Sequence, residues 1–301
     1  MNVTLTGATG LIGARIVRAL QARGDAVTVL SRDPERARAA LGDIEAHAWQ
    51  PLHESAPSAA LSGRDAVVHL AGESVAQRWT DASRRAIRES REIGTRNLIS
   101  GIAPADPRPR ALISASAVGY YGPRGDEPIA EDTAPGSDFL AQVCVAWERE
   151  AARAAEHGLR VANMRTGVTL DQDGGALAKM LPFFRLGVGG PVAGGRQYMP
   201  WIHADDLVGL YLAAVDDPSW EGPINAAAPE PATNRDFSRA LGRALHRPAF
   251  APVPGLAVRL LYGDMAEIVT TGQRAIPARA LERGHQFRHT DLENAMRDAL
   301  A

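Results

Sequence analysis

One cysteine and one lysine among 301 residues set the first limits. With Cys144 alone, no internal disulfide framework and no multi-cysteine zinc site can form, and such usage fits a reducing compartment. A cytoplasmic protein is therefore expected. Lys179 is the single lysine; every other residue in the basic count of 33 is an arginine, so any mechanism that needs a lysine must use that one. Neither sign of charge dominates, since 33 Lys+Arg against 35 Asp+Glu leave a formal charge of -2. No global field then favours nucleic acid or an anionic membrane as a partner. No apolar run approaches the ~20 residues needed to span a bilayer, and the chain opens on a strand-like run rather than a basic and apolar targeting segment. Internal repeats and low-complexity linkers are missing too. What is left is a globular composition, 45% hydrophobic and 23% charged, on a chain long enough to bury a substantial core.

Apolar runs rich in β-branched residues alternate with segments of helical period, the signature of a parallel sheet covered by helices on both faces. Strands are expected at residues 2–6, 26–30, 44–49, 65–70, 111–114 and 160–165. Helical patterns at 11–23, 34–41, 81–100 and 139–157 serve as the crossovers between them. The fold class is thus α/β, a doubly wound parallel sheet spanning residues 1–170. Past Leu170 the regularity weakens into Gly/Pro-rich text, then a helix at 205–215, a short strand near Ile224 and a helix at 235–245. Elements near 200–228 are expected to complete the sheet. The remainder of 171–301 forms a smaller C-terminal α/β substrate lobe, which includes a tail, 249–301, where Pro252, Pro254 and Pro277 separate short helical patterns and a last helix begins near Asp291.

Between the first strand and the first helix the chain reads TGATGLIG, Thr6 to Gly13. Glycines at 7, 10 and 13 let the turn tighten, let backbone N–H groups approach a diphosphate and let the helix pack close to the sheet, while the helix N-terminus adds positive partial charge. A glycine triplet alone is a weak signal, but a strand before it and an apolar-striped helix after it are the context the motif requires. Gly7, Thr9, Gly10, Leu11, Ile12 and Gly13 are therefore the candidate contacts to a dinucleotide, and 1–170 a Rossmann-like domain. Which dinucleotide depends on the end of the second strand, where an acid would hold the ribose hydroxyls of NAD and repel a 2′-phosphate. Here stand Ser31 and Arg32. A guanidinium pairs with that phosphate through charge-assisted bonds and Ser31 adds a hydroxyl, so NADP(H) is expected over NAD(H). Asp33, the rival acid, precedes Pro34 and a helical pattern, which suits an N-cap.

These residues resemble the short-chain dehydrogenase/reductase superfamily, in its extended, NAD(P)-dependent epimerase/dehydratase-like branch. The likeness is carried by TGATGLIG, His69-Leu70-Ala71-Gly72, Gly94-Thr95-Arg96-Asn97-Leu98, the run SASAVGYYG from Ser114 to Gly122, and Trp201-Ile202-His203 with Asp205-Asp206. A narrower likeness is to an uncharacterised sugar-nucleotide-epimerase-like subgroup with a distinctive C-terminal region. It rests on Trp49-Gln50-Pro51, on Phe139 to Glu148 with Cys144 and Trp147, and on Gly272-Gln273-Arg274 with Pro277, Leu281 and Gly284. The resemblance implies that Gln50 and Pro51 lie near the adenine, and that Leu70, Ala71 and Gly72 pass along the ribose and nicotinamide side.

One part of that pattern is missing. Ordinary members use a serine or threonine, a tyrosine, and a lysine four residues on that lowers the phenol's pKa. None of the tyrosines at 120, 121, 198, 211 and 262 is followed by such a lysine, and Lys179 has Gly175 four residues before it. Apolar Leu140 or Val143 with Cys144 take up that neighbourhood instead. The resemblance leaves Ser116 at the end of the fifth strand, Tyr120 and Tyr121 just beyond it, and His203 beside the substrate as the catalytic candidates. Their bland alternatives are a turn serine, aromatic packing and the start of a helix. Glu148 reads as a solvated or arginine-paired helix residue, and Cys144 as packing. Arg165, which ends the sixth strand, and Arg196 suit contacts to an anion of coenzyme or substrate, and no metal site is indicated. Two readings stand: an oxidoreductase or epimerase acting on a small polar substrate such as a nucleotide sugar, as monomer or homodimer, or a non-catalytic NADP(H)-binding redox sensor.

Overall fold

The computed structural model describes residues 1–301. Seven strands form one parallel sheet: β1 (Asn2–Thr6), β2 (Ala26–Ser31), β3 (Glu45–Ala48), β4 (Ala66–His69), β5 (Ala111–Ala117), β6 (Arg160–Thr166) and β7 (Gly222–Ala226). Their order, β3-β2-β1-β4-β5-β6-β7, reverses direction between β1 and β4. In open α/β sheets that reversal opens a crevice at the carboxyl ends of the strands. Alternation along each strand decides which helices it receives. Val3, Leu5, Val68, Ile113 and Met164 bury one face under α1 (Leu11–Ala22), α2 (Pro34–Leu41) and α6 (Ala204–Asp216). Their neighbours Val67, Leu112 and Val161 bury the other under α3 (Asp81–Ile102) and the end of α4 (Phe139–Ala152). Both faces are covered, so the strands read as near-continuous apolar runs.

The helices start where capping side chains sit. Asp33 accepts from the Arg36 N–H with Pro34 in the first turn of α2. Thr80 and Ser83 form a reciprocal capping box on α3, and Asp138 accepts from the Leu140 and Ala141 amides of α4. Helix α4 ends at Ala152, and 153–157 continue as a 3₁₀ turn, so the expected single helix to 157 is two pieces. The expected strand at 111–114 runs on to Ala117, which carries Ser116 out to the crevice.

The weakly patterned stretch holds a helix that periodicity did not reveal, α5 (Gly175–Arg185), with Pro182 inside it. It is held by packing: Leu177, Leu181 and Phe184 join Trp201, Phe237, Leu241 and Met296 in a second core. Phe237 and Leu241 belong to α7 (Asn234–Ala244), and Met296 to the last helix, Leu292–Asp298. The tail also returns to the main sheet. Arg274–Ala275 pairs with Pro128–Ile129, and Gln273 donates to the Val118 carbonyl just past β5. No helix is long and apolar enough to cross a membrane.

Candidate coenzyme and reaction site

The glycine loop leaves β1 and enters α1 with little room for anything but glycine. Gly7 has a φ of 68°, and a Cβ there would stand 2.9 Å from the Ala71 nitrogen. A Cβ on Gly13 would collide with the Gly7 carbonyl oxygen. No side chain caps α1 and no acid sits in its first turn, so its leading N–H groups face the crevice uncompensated. That cradle fits the diphosphate of a dinucleotide. Leu11 also packs against Gly174, fixing the loop from the C-terminal side.

At the end of β2 the acid and the base have separate fates. The Asp33 carboxylate is committed to capping α2. Ser31 is turned into its own loop, donating to the Asp33 carbonyl and accepting the Asp33 N–H. Arg32 is exposed. Gln50 is exposed at the neighbouring β3 end, where its N–H is held by Glu54, while the Pro51 carbonyl accepts from Asn97 of α3.

A buried polar string positions the Leu70-Ala71-Gly72 strip against Gly7. The Thr6 hydroxyl accepts the Leu70 and Ala71 N–H groups, both at 3.2 Å, and lies 2.7 Å from His69 Nδ1. With its oxygen so used, Thr6 donates to Nδ1, which leaves the proton on Nε2, 3.0 Å from Thr95 Oγ1. Burial, with the Arg91 charge adding to it, brings the His69 pKa down to about 4. The sign follows. The folded chain keeps this imidazole neutral while the unfolded chain protonates it below its ordinary value, so its contribution is intact at neutral pH and is lost as pH falls from about 6.5 towards 4. Between pH 7 and 5 the unfolding free energy should drop by about 2 kcal/mol more in the parent than in His69→Asn, as read by urea denaturation. Equal drops would remove His69 as the cause.

Ser116 ends β5 and donates to Glu148 of α4 at 2.6 Å. Arg165, from the end of β6, grips the same carboxylate with both arms, Nε to Oε1 and Nη2 to Oε2, each at 2.8 Å. Its Nη1 donates to the Tyr121 hydroxyl and to the Glu131 carbonyl, both at 2.9 Å, and its guanidinium carbon lies 3.4 Å from the Tyr120 ring centroid. Tyr121 in turn donates to Asn225 of β7 at 2.6 Å. Glu148, read from the sequence as a solvated or arginine-paired helix residue, is indeed paired with an arginine, but with Arg165 across the fold, and is the hub of the site.

Three expected roles are corrected by this network. Arg165 is 3% exposed with its donors directed inward, so it is a structural clamp rather than a free anion contact. Tyr121 is fully buried between Arg165 and Asn225, with burial pushing its phenol up to about 12, and its one proton is already given to Asn225, which takes it away from substrate. His203 is buried as the N-cap of α6: its Nδ1 accepts the Asp205 N–H, its ring stacks on His289 at 3.8 Å, and its Nε2 faces Asp298. None of these partners belongs to the Ser116 network. His203, Asp205, His289 and Asp298 bring one candidate ligand atom each within 4.8 Å of one another, apart from the Ser116 network. Tyr120 differs from Tyr121: it is half-buried, its ring rests on Arg165, and its hydroxyl bonds to no group of the chain. Leu140 packs on Gly119 beside it. Cys144 is buried against Ser116, and burial, with Glu148 adding to it, raises its thiol to about 12. Lys179 is exposed on α5 and donates to the Ala76 carbonyl.

A parallel sheet with its glycine cradle at the switch point defines a dinucleotide-binding α/β protein of the Rossmann type. The chain belongs to the NAD dependent epimerase/dehydratase family, whose model matches residues 3–227, and residues 253–299 match a domain of unknown function (DUF1731). It is 40% identical to an Arabidopsis thaliana protein called epimerase family protein SDR39U1 homolog, chloroplastic, across 99% of this chain and 86% of that one. The crystal structure of the human epimerase family protein SDR39U1 (isoform 2) with NADPH superposes with a TM-score of 0.89 at 34% identity, covering 99% of both chains. A nucleoside-diphosphate sugar epimerase from Corynebacterium glutamicum gives 0.79 at 36% identity, over all of this chain and 58% of that one.

Proposed function

We propose that this chain is an NADP(H)-dependent oxidoreductase or epimerase acting at a hydroxyl or carbonyl of a small polar substrate, nucleotide sugars among them. The carrying observation is the Ser116–Glu148 hydrogen bond, on the strand next but one to the glycine cradle, with the Tyr120 ring resting on the Arg165 that grips Glu148. Because Ser116 gives its only proton to Glu148, its oxygen is left as an acceptor. A substrate hydroxyl can then pass its proton to the Ser116 oxygen while Ser116 passes its own to Glu148, and Tyr120 donates to the same substrate oxygen. When bound, the coenzyme supplies the hydride exchange at carbon. Arg165 keeps the Glu148 carboxylate turned towards Ser116. Support for NADP(H) comes from the exposed Arg32 beside a committed Asp33, and from the NADPH in the human relative.

The absent tyrosine–lysine pair favours a second reading, a binding module that senses the NADPH pool. A panel of aldehydes, ketones and nucleotide sugars with NADPH or NADP⁺ separates the two. Substrate-dependent change in nicotinamide absorbance, cut about 100-fold or more in Ser116→Ala with NADPH affinity kept, is the expected result. Stoichiometric NADPH binding without turnover on any member would establish the sensor instead.

A further inference from the structure

The crevice contains a cation that the network above does not use. Arg91 rises from α3 and lays its guanidinium on Gly72: a Cβ at that glycine would meet the guanidinium carbon at 3.2 Å and Nη2 at 3.3 Å. The other side of the group is 4.8 Å from the Trp147 ring centroid. Nη1 donates to the Glu73 and Ile87 carbonyls at 2.9 and 3.1 Å. Nε and Nη2 bond to nothing in the chain, and no carboxylate lies within ion-pair distance. A partly buried guanidinium held without a counter-ion is costly, and burial does lower its pKa. Arg160, also partly buried and without an ion pair, differs in that its Nη1 and Nη2 are both directed onto carbonyls, Trp220 and Ala214.

Position says what Arg91 is for. Strand β4, which ends in His69 and the Leu70-Ala71-Gly72 strip, lies between β1 with the glycine cradle and β5 with Ser116. A dinucleotide whose diphosphate sits on the cradle and whose reactive ring reaches Ser116 passes the carboxyl end of β4, where Gly72 and Arg91 lie. Its unused donors suit ribose and phosphate oxygens, which are acceptors, and a guanidinium fork binds such oxygens well.

We infer that Arg91 holds the nicotinamide mononucleotide half of the coenzyme, supplying from α3 the positive charge of a site that contains no lysine. The inference rests on the NADP(H) reading above and deepens it. Calorimetry with two ligands tests both, using the full chain and the variants Arg91→Met, which keeps an apolar stem on Trp147, and Arg91→Lys. The ligands are NADPH and adenosine 2′,5′-bisphosphate, which lacks the nicotinamide half. Arg91→Met should weaken NADPH about 10-fold or more and leave the bisphosphate within about twofold, with Arg91→Lys between parent and Met for NADPH. Bound NADPH should also lose part of its fluorescence shift in Arg91→Met. Unchanged NADPH affinity in both variants would overturn the assignment, as would equal weakening of the two ligands. Failure of the parent chain to bind either ligand would instead overturn the NADP(H) reading itself.

Discussion

Arg32→Ala is expected to weaken NADPH binding by about 10- to 100-fold and to leave NADH within about twofold, measured by titration of both coenzymes at one ionic strength. The asymmetry follows from what surrounds the residue. Asp33, the acid at the strand end, has Oδ1 on the Arg36 amide, so swinging it onto ribose hydroxyls would uncap α2, and Arg32 beside it offsets its charge. Arg32 is exposed and needs no rearrangement to meet an anion, and a charge-assisted pair of that kind contributes about 1.5–3 kcal/mol. The companion variant Asp33→Ala should lower stability by about 1 kcal/mol through loss of the cap while preserving the preference for NADPH. If Arg32→Ala weakened both coenzymes alike, the group would be acting on the diphosphate or on the loop, and selection would lie elsewhere.

The parts of this site that were legible in the sequence are those whose chemistry is local. Strand, glycine turn and helix follow one another within Asn2–Ala22, so the spacing together with its flanking strand and helix patterns was enough to point to the cradle. The Asp33 cap with Pro34 was legible for the same reason. Pairings across the fold were not. Glu148 and Arg165 are 17 residues apart on a helix and a strand, and nothing in either segment marks them as partners. Tyr120 and Tyr121 are adjacent and identical in type; only the 3₁₀ turn at Val118–Tyr121 sends one into the core towards Asn225, 104 residues on, and leaves the other at the crevice. His203 carried a familiar pattern, but its ring is occupied by the tail, through His289 and Asp298. Helix α5 escaped because Gly174, Gly175 and Pro182 argue against a helix locally, and its stability comes from Trp201 and Phe237.

Arg165→Met is expected to destabilise the chain by about 3–5 kcal/mol in urea unfolding at neutral pH, because it strands a largely buried carboxylate. Glu148 would keep only the Ser116 hydroxyl, the Glu131 carbonyl would lose its Arg165 donor, and Tyr121 would lose its charged partner. Glu148→Gln is milder, about 1–3 kcal/mol, since a carboxamide oxygen still accepts from Ser116 and Arg165 keeps Tyr121 and the Glu131 carbonyl. The combined variant should be less destabilised than the two single effects added, by about 1–3 kcal/mol, as a direct pair requires. Strict additivity would mean that each group is stabilised by something other than its partner. The same variants divide structure from chemistry. Arg165→Met disturbs the orientation of the whole strand end, so it should impair both folding and turnover, whereas Glu148→Gln keeps the shape of the crevice and removes only the proton acceptor behind Ser116. NADPH affinity retained in Glu148→Gln, together with a turnover loss matching that of Ser116→Ala, would mark the two as one proton path; turnover retained in Glu148→Gln would reduce Glu148 to a clamp for Arg165 and leave Tyr120 as the proton-handling group.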